Sequence, residues 1–331
     1  MKTKALVLIS GGLDSILAVK ILMEQGIEVT GLTFVSNFFD ADDSKILAKN
    51  LGIDLIDYNF SEEHLEIVKN PRHGYGKNMN PCIDCHGLMV RKAFEIMKNG
   101  NFDFIATGEV LGQRPKSQNK QALALVENYG EIDGYLLRPL CAKLLPETKM
   151  EKEGLVDRNR LLGIEGRNRE EQIELARKYG IEEYPSPGGG CVLTYAEYSN
   201  KLRVMKDNWL SCDSSDVSLL RAGRIFWFDN ILVVVGRHKE DNEKLEKLSK
   251  KDDLIFKLEN EKGPFVLLRD KNNLGYKKQN KLEIKIPQEL KTNLKLKDKN
   301  EIIQMAAIMT GYFVPKLRGK TTTVLLNSKF K

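Results

Sequence analysis

Long apolar runs are missing from this chain of 331 residues. No window approaches the roughly 18 consecutive apolar residues of a membrane-spanning helix. The run Ala5 to Ile9 is too short for the core of a secretory signal and leads straight into glycines, so the expectation is a cytoplasmic protein with no membrane partner. Cysteine is scarce, with 5 residues at irregular spacing. That excludes a disulfide scaffold, points to a reducing compartment and makes each thiol a candidate for metal or redox chemistry. Proline is also rare, at 10 residues, and the 26 glycines follow no collagen period. With 41% hydrophobic and 30% charged residues, neither disorder nor low complexity fits. No internal repeat is found. What remains is a globular chain long enough for two domains at about 100 to 200 residues each.

Charge is unevenly divided. Residues 201 to 331 carry 28 Lys+Arg against 17 Asp+Glu, whereas residues 1 to 200 carry 24 against 29. A basic segment concentrates polyanions, of which nucleic acid is the commonest large one; a lysine-rich solvated surface is the plainer alternative.

The first 200 residues alternate strand-like and helix-like patterns. Lys4–Ser10, Glu28–Val35, Asp54–Asn59 and Phe102–Thr107 read as strands, and Asp14–Glu24, Ser44–Leu51, Gly87–Lys98 and Arg169–Tyr179 as helices. This alternation predicts an α/β fold, a doubly wound parallel sheet. Pro185–Gly190 reads as a structured loop or linker. Beyond about residue 205 the expected strands are Arg224–Trp227, Ile231–Val235, Leu254–Leu258, Pro264–Leu268 and Thr321–Leu326, with helices at Asp241–Leu248 and Glu301–Tyr312. That is a second, smaller α+β domain. The expected division is 1–200 and 201–331.

Ser10-Gly11-Gly12-Leu13-Asp14-Ser15 follows the first strand and opens a helix. Two glycines let several N–H groups converge on one point, and the helix N-terminus adds partial positive charge, which suits a pyrophosphate. The loop is neither a Walker A sequence nor the spaced three-glycine fingerprint. A plain turn capped by Ser10 or Asp14 is the alternative. Gly31-Leu32-Thr33-Phe34 and Ala106-Thr107-Gly108 end strands at the ligand-binding edge of such a sheet, and a glycine at 108 would let a purine approach the backbone.

Pro81-Cys82-Ile83-Asp84-Cys85-His86 lies just before a predicted helix. A C-x-x-C pair at a helix N-terminus is expected to have lowered thiolate pKa values and to present two sulfurs to one metal. A redox disulfide is the alternative. A closed zinc site would need His86, or the more distant His73, as further ligands. Cys191, after Gly188-Gly189-Gly190, supplies a third sulfur, and three thiolates leave a cubane with one iron free of protein ligand. Cys141 reads as packing and Cys212 as incidental. Arg114, Lys116, Gln118, Arg167 and Arg169 are candidate phosphate or RNA contacts.

The loop Ser-Gly-Gly-x-Asp-Ser resembles the signature of the ATP pyrophosphatases, or PP-loop proteins, whose fold is that of the adenine nucleotide alpha hydrolases. The resemblance implies phosphate binding by Ser10, Gly11, Gly12 and Ser15, Asp14 beside Mg²⁺, and adenine of ATP read near Thr33, Phe34 and Gly108. C-x-x-C plus a distant cysteine resembles the tRNA thiolation branch, in which such cysteines bind an iron–sulfur cluster or carry a persulfide. Segments from Ala106 to Thr194 are similar to tRNA 2-thiouridylase and 4-thiouridine synthetase. Val234 to His238, Asp241-Asn242, Asp252-Asp253, Gly263-Pro264 and Ala306 to Gly319 resemble the NFACT-R domain, a presumed RNA-binding module, with Gly236-Arg237-His238 where that domain has Gly-Arg-Asn.

Taken together, the resemblance implies a tRNA sulfurtransferase with catalytic Asp14, Cys82, Cys85 and Cys191. Its cofactors would be ATP, Mg²⁺ and a [4Fe-4S] cluster on the three cysteines. Its partners would be tRNA and a sulfur donor, either sulfide or a persulfide carrier, with a homodimer left open. The alternatives are persulfide thiolation without a cluster, a zinc-containing ATP-dependent amidating ligase, and a non-catalytic RNA-binding protein.

Overall fold

The computed structural model describes residues 2–132, 134–184, 190–271, 280–292, 296 and 298–328. The chain forms two compact units, Met1–Ala196 and Glu197–Lys331. Of the expected Pro185–Gly190 linker, residues 185–189 lie outside the described residues.

The first unit runs β1 Lys4–Leu8, α1 Leu13–Glu24, β2 Glu28–Val35, α2 Asp42–Leu51, β3 Asp54–Asn59, α3 Ser61–Lys69, α4 Cys82–Asn99, β4 Phe104–Thr107, α5 Lys120–Gly130, β5 Leu136–Leu137, α6 Lys149–Lys152 and α7 Glu170–Lys178. All strand pairs are parallel, in the order β3-β2-β1-β4-β5. This is the doubly wound sheet expected from the alternating pattern. Ala5, Leu6 and Val7 in β1 are each 0% exposed, because a central parallel strand is covered on both faces. Val7 packs with Leu17 and Ala106 on one side, and Leu6 with Phe34 and Ile105 on the other. α2 stops where Gly52 takes φ +65°, and the N–H groups of Gly52 and Ile53 turn back to the carbonyls of Lys49 and Ala48.

Two differences matter for the site. The fourth helix starts at Cys82 rather than Gly87, so the C-x-x-C pair occupies its first turn instead of preceding it. Helices α3 and α5 have no counterpart among the helices expected from the sequence. In α5, Asn119 accepts a bond from the Ala122 N–H at 2.9 Å, a cap whose asparagine is inconspicuous among polar neighbours.

The second unit contains α8 Ala196–Asn208, α9 Ser214–Leu219, β6 Arg224–Phe228, β7 Ile231–Val235, α10 Lys239–Leu248, β8 Leu254–Leu258, β9 Val266–Asp270, β10 Lys281–Lys285, α11 Lys299–Tyr312 and β11 Thr321–Ser328. Its six strands pair antiparallel in the order β10-β11-β8-β9-β7-β6. Helix α11 packs Ile302, Ala306 and Met309 against Val233, Phe256 and Leu268 of the sheet. Arg269, 3% exposed, is held by Asp253 at 2.6 Å and Asp216 at 2.8 Å. Strand β10 is an addition to the expected set: it alternates exposed Lys281, Glu283 and Lys285 with half-buried Leu282 and Ile284, and such an edge strand has little apolar signal.

Candidate active site at the carboxyl edge of the parallel sheet

The sheet order reverses direction at β1, so the crevice between the carboxyl ends of β1 and β4 is the switch point where open α/β sheets take ligands. The glycine loop emerges there. Gly11 has φ +77°, and a Cβ on it would stand 2.4 Å from Cβ of Asp43; conformation and space both require glycine. Gly12 is extended, at φ −74° and ψ 156°, and no side chain caps α1. The N–H groups of Leu13 and Asp14 at the helix start therefore have no capping side chain, as an anion site needs. Ser10 is exposed, while the Ser15 hydroxyl donates to the Gly12 carbonyl at 2.7 Å.

Asp14 is the centre of a convergent group. Gln113 Nε2 donates to its Oδ2 at 3.0 Å, and Arg169 Nη2 lies 3.8 Å from its Oδ1. These partners come from two distant loops: Gly112 N closes the first on its own Gln118 carbonyl, and Gly166 N joins the second to it at the Leu111 carbonyl, each at 2.7 Å. Asp14 Oδ1, Arg169 Nε and Gln118 Oε1 are buried without a hydrogen-bond partner. Buried polar atoms are normally satisfied, and an acceptor and a guanidinium left open beside a phosphate loop suit a triphosphate with its cation. Asp14 thus fits Mg²⁺ by donor type and by an oxygen that accepts no hydrogen bond. Arg114, Lys116 and Arg167 are exposed.

The side chains of Thr33 and Phe34 serve the interior. Thr33 Oγ1 donates to Ser44 Oγ at 3.0 Å, and Ser44 Oγ donates to the Ile9 carbonyl at 3.2 Å. Phe34 packs on Tyr58 and Phe60, with ring centroids at 5.7 and 5.0 Å. At Gly108, the close approach is made by protein: a Cβ there would be 2.6 Å from the carbonyl carbon and oxygen of Asp14 and 2.7 Å from the Ser15 nitrogen. Gly108 seats the end of β4 against the first turn of α1.

Cys82 and Cys85 sit in the first turn of α4, with the Cys85 N–H bonded to the Pro81 carbonyl. Asn80 Nδ2 donates to Cys82 Sγ at 3.2 Å. Asp84, 1% exposed, accepts from His73 N at 3.0 Å and stands 2.8 Å from His73 Nδ1. Cys191 is brought in from afar by two tethers: Val192 N donates to the Phe38 carbonyl at 3.0 Å, and Asn78 Nδ2 to the Thr194 carbonyl at 2.6 Å. All three cysteines are free.

The expected lowering of the thiol pKa is overturned at Cys85. Burial pushes it well up, and the neighbouring sulfurs of Cys191 and Cys82 push the same way. Burial likewise pushes Cys191 up to about 11, with Cys82 adding to the rise and Arg114 opposing it. Desolvation outweighs the helix N-terminus here. Cys141 lies with Leu111 and Leu123 in a small apolar cluster, its sulfur donating to the Glu109 carbonyl at 3.3 Å; Cys212 is buried in the second unit.

A buried polar network is invisible in the sequence pattern. Glu109, directly after Gly108, accepts from Arg138 Nε at 2.9 Å and Thr107 Oγ1 at 3.2 Å, and its other oxygen stands 3.1 Å from His86 Nδ1. Arg138 also pairs with Glu127. Burial opposes ionisation of Glu109, yet the Arg138 charge and the contact with His86 outweigh it and hold the carboxyl down to about 2. Gly108 touches Asp14, and His86 follows Cys85, so this network links the phosphate loop to the cysteine turn. An acidic residue at a strand end and a lone arginine between Leu137 and Pro139 were its only sequence signals.

Among the described residues no group of three or more His, Cys, Asp or Glu side chains is arranged to hold a metal ion. The three sulfurs influence one another electrostatically and match the donor type of an iron–sulfur cluster, but they are not preassembled around one point. No helix among the described residues is long and apolar enough to cross a membrane.

Residues 1–145 match the family model for the thiamine biosynthesis protein ThiI. A tRNA-specific 2-thiouridylase MnmA of Methylobacillus flagellatus is 37% identical over 134 residues, covering 35% of this chain and 37% of the relative. The MnmA of Thiobacillus denitrificans is 27% identical over 186 residues, covering 50% and 51%. A 4-thiouridine synthetase solved as an RNA complex with bound ATP is 20% identical, covers 66% of this chain and 52% of that one, and aligns with a TM-score of 0.40. The chain spans about a third to a half of the length of these curated relatives. The N-terminal unit, with the glycine loop at the head of α1, is thus similar in sequence to the ThiI family model and to tRNA-specific 2-thiouridylases.

Proposed function

We propose that the chain is an ATP-dependent tRNA sulfurtransferase. The observation that carries this reading is the union of two chemistries at one sheet edge. The loop Ser10 to Ser15, with the open oxygen of Asp14, stands one glycine and one buried glutamate away from the turn bearing Cys82, Cys85 and, across from it, Cys191.

A uridine carbonyl oxygen is a poor leaving group. In the proposed reaction it attacks the α-phosphorus of ATP, pyrophosphate leaves into the cradle of the Ser10, Gly11, Gly12 and Ser15 loop, and Asp14 holds Mg²⁺. A sulfur nucleophile then adds to the activated carbon, AMP departs with the original oxygen, and a thiocarbonyl remains. Thr33 and Phe34 would meet the adenine through main-chain groups only, since their side chains are engaged inside the fold, and Gly108 acts by packing. Bound by Cys82, Cys85 and Cys191, a [4Fe-4S] cluster would supply an iron free of protein ligand for inorganic sulfide. A persulfide on Cys82 or Cys191 is the second reading, supported by sulfurs that sense one another's charge without being arranged around one point among the described residues; its donor would be a persulfide carrier. The basic second unit, NFACT-R-like in sequence, would hold the tRNA through phosphate contacts. The site of action is the cytoplasm, and nothing in the reaction requires a second copy of the chain.

The test is AMP release and thionucleoside formation by the full chain, handled without oxygen, with ATP, Mg²⁺, bulk tRNA and sulfide. Both should depend on tRNA, and Asp14→Ala should lose both by at least about a hundredfold while melting as the parent does. AMP release that ignores tRNA, or a fully active Asp14→Ala, refutes the assignment.

A further inference from the structure

Several cations of the second unit are already paired with carboxylates. Arg237 binds Asp241 at 2.6 Å, Arg269 binds Asp253 and Asp216, Lys257 binds Glu246 at 2.9 Å, and Lys316 binds Glu261 at 2.6 Å. Arg224 and Arg318 differ. Among the described residues neither has a carboxylate partner; each lies on an aromatic ring instead. The Arg224 guanidinium is 4.6 Å from the Phe313 ring centre, and that of Arg318 is 4.4 Å from the Tyr312 ring. Tyr312 and Phe313 meet edge to face at 5.5 Å, and Phe226 lies 6.4 Å from Phe313. Arg224 and Phe226 are two apart on β6, so they share one face of the edge strand. The Arg318 Nε donates to the Tyr312 carbonyl at 3.2 Å, which fixes that guanidinium over its ring. The result is one continuous row, Arg224, Phe226, Phe313, Tyr312, Arg318. Arg224 is exposed and the other four are half-buried, with Phe226, Phe313 and Tyr312 resting on the core of the unit.

We infer that this row binds an unpaired stretch of RNA, its bases stacking on the rings and guanidinium planes and its phosphates meeting Arg224 and Arg318. The charge is complementary: residues 201 to 331 carry an excess of lysine and arginine, and these two arginines are not neutralised from within. An acidic peptide would engage the guanidinium forks but leave three rings unmatched, whereas a single strand uses both. A duplex presents its bases edge-on and gives the rings nothing to stack on. The inference rests on the tRNA reading above, adding which surface grips the substrate and in what form.

The experiment uses the full chain and two probes, bulk tRNA and a fluorescent oligouridylate of about ten nucleotides. Arg224→Gln with Arg318→Gln should weaken both, and the slope of log affinity against log salt should fall by about 1.4, at roughly 0.7 for each single-strand phosphate no longer neutralised. Phe313→Leu, which keeps apolar volume under the row, should weaken the oligouridylate about 5- to 150-fold with the salt slope unchanged, the range for removing one stacked base, and Phe313→Trp should restore it. Wild-type affinity and slope in the double variant overturn the inference, as does a fully paired RNA or polyglutamate that competes as well as the oligouridylate. If tRNA binding and thiolation survive in these variants, this surface fails while the sulfurtransferase reading stands. If the parent chain neither binds nor thiolates tRNA, both fail.

Discussion

Replacing Gly108 with alanine tests the packing that seats the phosphate loop on the sheet. The new Cβ would lie 2.6 Å from the Asp14 carbonyl carbon and oxygen, whereas ordinary contact begins at 3.4 Å. The backbones must separate by about 0.8 Å, because neither neighbour is a side chain that can swing aside. Overpacking of this kind costs about 1–3 kcal/mol, which in a unit of this size lowers the melting temperature by roughly 2–12 °C. The displacement falls on Asp14 and the first turn of α1, and misplacing reacting groups by about 1 Å costs on the order of a hundredfold in rate. Gly108→Ala should therefore stay folded, lose about a hundredfold in kcat/KM for ATP, and keep its affinity for tRNA. Gly163→Ala is the control, since its nearest neighbour is a side-chain carbon at 3.5 Å, and it should stay within about 0.5 kcal/mol of the parent. Parental ATP turnover in Gly108→Ala would refute the claim that this contact aligns the loop.

Three further outcomes are expected. His64 is 1% exposed, stacks on Phe60 at 4.8 Å, and has no hydrogen-bond partner on either ring nitrogen; burial, aided by His86, lowers its pKa to about 3. The unfolded chain protonates it below about 6.5, so the stability present above that pH is lost as pH falls toward 3; His64→Leu should flatten the pH profile of the unfolding free energy in that window by a few kcal/mol, and an unchanged profile would contradict the burial argument. Alanine at Cys82, Cys85 or Cys191 should remove iron and thiolation together in protein purified without oxygen, whereas Cys141→Ala should keep both; full thiolation by iron-free protein would decide for the persulfide. Arg269→Ala strands the buried carboxylate of Asp253, while Lys250 and Lys271 still pair Asp216, so urea unfolding should show a loss of about 3–5 kcal/mol, and a loss under about 1 kcal/mol would mean that water already reaches Asp253.

The elements legible in the sequence were those whose pattern is local. Strands β2, β7 and β8 lie where their apolar runs placed them, since a run buried on one or both faces is written in consecutive residues. The glycine loop was legible for a similar reason: a left-handed Gly11 beside an uncapped helix start is a property of six adjacent residues. Helices α3 and α5, with short amphipathic stretches, and β10, with an exposed edge, carry too little of that signal. What only the tertiary structure decided were the encounters. Gln113 and Arg169 reach Asp14 because two loops are stitched at Leu111 and Gly166. Cys191 reaches the cysteine turn through Phe38 and Asn78. The state of the thiols also waited on the fold, because the helix N-terminus that favours a thiolate is visible in sequence, while the burial that outweighs it at Cys85 depends on side chains brought together from distant parts of the chain.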